Sequence, residues 1–202
     1  MIQIGDMMIT GAPEPRLLEA LSVIADLLHP AYDHMAAVEK GKSKRSCVLC
    51  SLTVRDFLFR AGFRDAEVRP VATVIMEVKA DDVLGHTLGI GGRNQADKPG
   101  HWPGHMVVHV AGFVIDTTLY QAQRPVWHEL PGMIAVPFTT GGEPIWNMPS
   151  IAHGTLDTSD GREIGLFYLD DPKNKKWRDG PDASPRLRKP VVDFLLEQSG
   201  CK

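Results

Sequence analysis

The chain has 202 residues, 43% of them hydrophobic and 23% charged, with a formal net charge of −3 at pH 7; this is enough for one domain with a full core and short for two. The slight acidity argues against a dedicated nucleic-acid binder, and no apolar run reaches the ~20 residues of a membrane-spanning helix. Three cysteines are too few for a disulfide framework, and Met1-Ile2-Gln3-Ile4-Gly5-Asp6 lacks the features of a signal peptide, so a cytoplasmic, reduced protein is expected.

Leu17, Leu21, Ile24 and Leu28 recur at helical spacing, which predicts a helix over Pro15 to His29 with Pro15 in its first turn and Pro30 as its stop. A basic segment, Lys40 to Arg45, delivers the chain to Ser46. Ser46 is suited to cap a second helix from Cys47 to Ala61, stopped by Gly62, with Cys50, Val54, Leu58 and Ala61 on its inward stripe. Strands are then expected over Val68 to Val78 and Thr87 to Ile90. A long Gly/Pro-rich loop from Gly91 to Gly104 follows, of a length that is often functional inside a compact domain. It leads into a hairpin, Met106 to Val110 and Phe113 to Thr117, turning at Ala111-Gly112. Further on, Met133 to Phe138 reads as a strand, and the turn Ser159 to Arg162 feeds another over Ile164 to Leu169. Lys173 to Arg178 reads as a solvated loop and Val191 to Gln198 as a short helix behind Pro190. No repeat or linker divides residues 1–202, so one α+β domain is expected.

Chemistry concentrates in three residues. An unperturbed thiol has a pKa near ~8.5 and is a poor nucleophile at neutral pH. The first turn of a helix, where Cys47 is expected, offers free N–H groups and a partial positive charge that favour the thiolate; Lys44 and Arg45 stand nearby. On the hairpin, a two-residue turn pairs His109 with Val114 and sets Val107 opposite Asp116. His105, Val107 and His109 then share a face with Val114, Asp116 and Thr118. His105 and Asp116 become diagonal neighbours about 7–8 Å apart at Cα, within reach of an imidazole–carboxylate hydrogen bond. A one-residue slip in the loop would put them on opposite faces.

Cysteine at a helix start, histidine on one strand and aspartate on the next is similar to the transglutaminase-like branch of the papain-like cysteine hydrolase and acyltransferase superfamily. The resemblance is carried by Cys47-Val48-Leu49-Cys50-Ser51, Gly104-His105-Met106-Val107-Val108 and Val114-Ile115-Asp116-Thr117-Thr118, and spans roughly residues 45–122. It implies an α+β fold in which N-terminal helices, including the nucleophile helix, pack on an antiparallel β-sheet. It also implies a triad of Cys47 as nucleophile, His105 as general base and acid, and Asp116 as orienter of the imidazole. Thr117 stands where the superfamily more often has proline, and Val48 where it has an aromatic residue. No glutamine or asparagine lies just upstream of Cys47, so its own N–H is the one oxyanion donor expected. The implied function is a cysteine-dependent amide or acyl hydrolase or transferase (peptidase, deamidase or crosslinking enzyme). It would act on a peptide, protein or small amide or acyl substrate through a thioacyl intermediate, with no cofactor, nucleic acid or membrane as partner.

Two readings compete with this one. A catalytically inactive binding module on the same fold would leave the same sequence pattern. A zinc protein would use Cys47, Cys50, His101 and His105, although about 50 residues separate the two halves, unlike a compact zinc finger. His105 and His109 would lie about 13 Å apart along one strand face, too far to share an ion. A redox reading of Cys47-x-x-Cys50 lacks the βαβ context. Gly89-x-Gly91-Gly92 lacks the lysine and following helix of a phosphate loop. Trp102 is a candidate groove wall, and Gln121 is assigned no role.

Overall fold

The computed structural model describes residues 1–78, 84–91, 102–125, 130–145, 147–159 and 161–200. His101 and most of the Gly91 to Gly104 loop lie outside the described residues, as do Asp160 and Cys201. In chain order the elements are β1 Ile2–Ile4, β2 Met7–Ile9, α1 Pro15–Asp33, α2 Cys47–Arg60, β3 Glu67–Val78, β4 Leu84–Ile90, β5 His105–Val110, β6 Phe113–Asp116, β7 Met133–Ile145, β8 Met148–Asp157, β9 Glu163–Asp170 and α3 Pro185–Gln198. No helix among the described residues is long and apolar enough to cross a membrane.

The hairpin forms as its sequence dictates. Ala111 and Gly112 take positive φ values of 47° and 76°, the backbone that a two-residue turn between right-twisted strands requires. Val110 pairs with Phe113, His109 with Val114 and Val108 with Ile115, so the expected parity is the observed one. Around this hairpin the strands follow the order β7-β6-β5-β3-β9-β8, and β8 pairs back onto β7. Every pairing in that ring is antiparallel. The result is a closed six-stranded antiparallel barrel. β1 and β2 extend it through a parallel β2–β7 pairing, and β4 pairs the second half of β3.

Closure overturns the expected fold. The papain-like or transglutaminase-like arrangement, an α+β fold with helices laid on an antiparallel sheet, is replaced by a β-rich barrel with three helices among the described residues. The physical reason lies in β8, the strand that closes the ring. Its sequence, Met148-Pro149-Ser150-Ile151-Ala152-His153-Gly154-Thr155-Leu156-Asp157, carries a proline, a glycine and a histidine and gives little β signal. Long-range pairing with β7 and β9 decides its conformation. β7 likewise runs on to Ile145, through Thr139-Thr140-Gly141-Gly142-Glu143-Pro144, which resembles a turn.

Two apolar cores follow from the alternation along β5. Val108 and Val110, with Ile115 of β6, face outward onto Leu21, Ile24 and Leu28 of α1, Leu49, Val54 and Leu58 of α2, and Leu195 of α3. Val107 and Val114 face inward, where they meet Ile75, Ile134, Val136, Leu166 and Tyr168 from the other barrel strands. His105 and Asp116 share the inward parity. Both helix limits set by internal prolines are corrected. α1 runs through Pro30 to Asp33, because fully buried Tyr32 anchors its last turn, 2.5 Å from Thr53 Oγ1. α3 begins at Pro185 and passes through Pro190, its inner face buried at Val191, Val192, Leu195 and Leu196. Tertiary packing outweighs the cost of one missing helical hydrogen bond in each case.

Candidate active site

Cys47 stands at the first position of α2, where Ser46 caps the helix: Ser46 Oγ accepts from the Leu49 N–H at 3.3 Å. The first intrahelical bond joins the Cys50 N–H to Ser46 O at 3.1 Å. The N–H groups of Cys47 and Val48 therefore lie ahead of the helical ladder, in the positive end of the helix field. Ser46 Oγ also donates to Asp182 Oδ2 at 2.5 Å, while Lys42 Nζ sits 2.6 Å from Asp182 Oδ1. Ser51 Oγ donates to Met106 O at 2.8 Å, which clamps α2 onto β5. Lys44 and Arg45, which precede Cys47, have partners of their own. Arg45 pairs with Glu39 at 3.0 Å, and Lys44 Nζ lies 4.5 Å above the Tyr120 ring.

His105 opens β5 and is fully buried, as is Asp116 at the end of β6. The His105 Nε2–H donates to Asp116 Oδ2 at 2.8 Å. Asp116 is itself tightly held: Oδ1 accepts from the Thr118 N–H at 2.9 Å and from Thr118 Oγ1 at 3.4 Å, and Tyr168 Oη–H donates to Oδ2 at 3.2 Å. Burial alone would lower the pKa of His105. The negative charge of Asp116 and the hydrogen bond to it outweigh burial, Cys47 adds to them, and the ring is raised from 6.5 to about 10. The net shift is upward, so the Asp116 carboxyl favours the protonated imidazole in this sealed pair. Burial, then the Asp116 charge, pushes the Tyr168 phenol well up, so its proton stays to donate.

The gap between helix and hairpin is bridged at the barrel rim. Cys47 Sγ rests 3.9 Å from Gly104 O, one residue before His105. Since Nε2 is taken by Asp116, the influence of Cys47 on the ring reaches Nδ1. That nitrogen has no partner meeting ordinary hydrogen-bond geometry. The sulfur is therefore close enough to the imidazole to raise its pKa, with no bond closed to Nδ1, and catalytic hydrogen bonds are often loose in unliganded sites. Gly104 matters sterically: a Cβ there would overlap the Trp102 indole.

Cys47 packs with Val48, Leu52 and Met106, and Trp102 and Trp177 close over them. A cavity of about 310 Å³ opens beside this cluster, lined by Val48, Trp102 and Trp177 with Lys176, Asp179 and Asp182 also in its walls. Trp102 Nε1 donates to Asn174 Oδ1. The expected solvated loop is thus corrected in part: Lys176–Asp179 forms a 3₁₀ turn that brings Trp177 to the cluster. Comparison of the chain with family models, with curated proteins and with solved structures gives no match.

The other sequence candidates fall elsewhere. Cys50 is fully buried, its Sγ donating to Ser43 O at 3.1 Å, and burial followed by the charge of Cys47 raises its pKa well above 9.0. His109 pairs with Glu67 at 3.2 Å and packs on Phe138. His101 of the zinc reading lies outside the described residues. Among the described residues no group of three His, Cys, Asp or Glu side chains is placed to hold a metal ion. Tyr168 and Trp177 are not among the sequence candidates, and Thr118 is placed on the shared hairpin face without a role. Thr118 alone had a local signal, because a threonine two residues after an aspartate often closes a side-chain turn.

Proposed function

We propose that the protein is a cysteine-dependent amide or acyl hydrolase or transferase, with Cys47 as nucleophile, His105 as proton carrier and Asp116 as its orienter. The observation that carries this reading is the buried His105–Asp116 hydrogen bond with the Cys47 sulfur 3.9 Å from the carbonyl of Gly104, the residue before His105. It is the chemistry implied by the papain-like resemblance, here set on a different architecture.

In this mechanism the Cys47 sulfur attacks the substrate carbonyl carbon, and the carbonyl π electrons move onto oxygen, where the Cys47 N–H stabilises them. The intermediate collapses, the C–N or C–O bond breaks, and His105 Nδ1 gives its proton to the leaving amine or alcohol. Water or a second amine then attacks the thioester, losing its proton to His105, and the Cys47 sulfur leaves. Asp116 keeps Nε2 protonated throughout and faces Nδ1 toward sulfur. The cavity walled by Trp102 and Trp177 takes the acyl side of the substrate, an apolar group on the tryptophans with a polar end toward Lys176, Asp179 and Asp182.

An activated ester such as p-nitrophenyl acetate tests the reading. One acyl group per chain is expected on Cys47, located by peptide mapping and removed by hydroxylamine. A chain that stays unacylated, or is acylated only at other residues, would contradict it. A second reading, a catalytically inactive binding module, draws on the complete burial of His105; it gives the unacylated result.

A further inference from the structure

We propose that His29 is a positioning residue for this site: it ties the turn that launches α2 to the segment that carries Asp116, and so sets Cys47 against the His105–Asp116 pair. The proposal takes the role of the site from the reading above, while the tie itself stands on geometry.

His29 lies buried on α1 with both ring nitrogens engaged: Nε2 is 2.9 Å from Thr117 O and Nδ1 is 2.9 Å from Ser43 Oγ. A carbonyl oxygen only accepts, so Nε2 carries the proton and Nδ1 accepts from the Ser43 hydroxyl. One neutral tautomer satisfies both ends. Burial lowers the pKa of the ring to about 4, with Lys44 acting the same way and the Thr117 bond, Asp33 and Asp6 acting against it. The neutral form is therefore the working form across the physiological range. Asp26 of α1 and Tyr120 also line this side of the ring.

The two anchor points are next to the site residues. Thr117 follows Asp116 directly, and its neighbour Thr118 holds Asp116 Oδ1. Ser43 opens the 3₁₀ turn Ser43–Arg45 that runs into the Ser46 cap and Cys47. The Ser43 carbonyl accepts from both Cys50 Sγ and the Ser46 N–H, at 3.1 and 3.4 Å, which transmits the position of the turn into α2. A second tie runs in parallel. The Tyr120 ring meets His29 edge-on at 5.2 Å and carries Lys44 over its face. Sequence reading placed His29 only at a helix end, since its partners lie 14 and 88 residues away.

The test compares His29→Leu, which removes both bonds, with His29→Gln, whose amide offers one donor and one acceptor. Two readouts are followed: the His105 ring titration by NMR, and the iodoacetamide rate of Cys47. In His29→Leu we expect the His105 pKa to fall by about one unit or more and Cys47 labelling to slow about tenfold. His29→Gln stays near wild type in both. A residue that only stabilises the fold would lower the melting temperature and leave both readouts unmoved in the folded protein, and that result in His29→Leu overturns the proposal. Should His29→Leu not fold, Ser43→Ala decides in the same way, since it removes only the donor to Nδ1. Slow wild-type labelling of Cys47, no faster than Cys50, contradicts the enzymatic reading alone; the His105 titration still decides the role of His29.

Discussion

Replacing Asp116 with asparagine is expected to destabilise the protein by about 3 kcal/mol at neutral pH. Each carboxylate oxygen of Asp116 is committed to donors: Oδ2 to His105 and Tyr168, Oδ1 to Thr118. Asparagine keeps one acceptor and turns an NH₂ group toward donors on the other side, so at least one buried donor loses its partner. Without the Asp116 charge, burial lowers the His105 pKa, so the ring gives up its proton and the ion pair is lost. The sign with pH is distinctive. The folded pKa of His105 lies above its unfolded value, at about 10 against 6.5. Its stabilising contribution is therefore complete below pH 6.5 and is lost as pH rises toward about 10. In Asp116→Asn that alkaline slope should flatten. Urea unfolding of both proteins across this range measures the difference; parallel slopes would show that the pair is not an ion pair. His29 has the opposite sign, since its folded value of about 4 lies below the unfolded one, and its contribution is lost as pH falls from 6.5 toward 4.

The second large effect concerns chemistry and leaves the fold nearly intact. Cys47→Ala is expected to reduce turnover of activated acyl substrates by at least ~10³-fold, because the proposed thioester forms on its sulfur. Cys47 is only 6% exposed and packs among Val48, Leu52 and Met106, so loss of its sulfur costs about 1 kcal/mol of stability. Rate and melting temperature should therefore separate. Residual turnover within a few-fold of wild type would place the chemistry elsewhere. Cys50→Ala is the natural control, because the Cys50 thiol is buried and spent on Ser43 O.

What was legible in the sequence is what local chemistry decides. The Ser46 cap, the α2 helix and the Ala111-Gly112 turn follow from residues within a few positions of one another, and the parity that unites His105 with Asp116 follows from that turn. Closure of the barrel was not legible, because β8 carries weak strand signals and is recruited by β7 and β9. The supports of the site were hidden for the same reason. Tyr168 lies 52 residues from Asp116, and Ser46 lies 136 residues from Asp182. Trp177 sits in a basic segment that reads as solvent-exposed until the Lys176–Asp179 turn brings it to Cys47. Barrel closure explains one further point: the face shared by His105 and Asp116 is the barrel interior, and the Cys47 sulfur lies at the rim, by Gly104 O, the residue before His105.

If the His105–Asp116 pair activates Cys47, the pH dependence of Cys47 alkylation reports it. Wild-type and Asp116→Asn proteins would be treated with iodoacetamide from about pH 5 to 9, with Cys47 and Cys50 quantified separately by mass spectrometry. We expect fast labelling of wild-type Cys47 well below about pH 8, far slower labelling of Cys50, and a Cys47 profile displaced to higher pH in Asp116→Asn. Equal, slow labelling of Cys47 and Cys50 in the folded wild-type protein, or a Cys47 profile indifferent to Asp116, would contradict it.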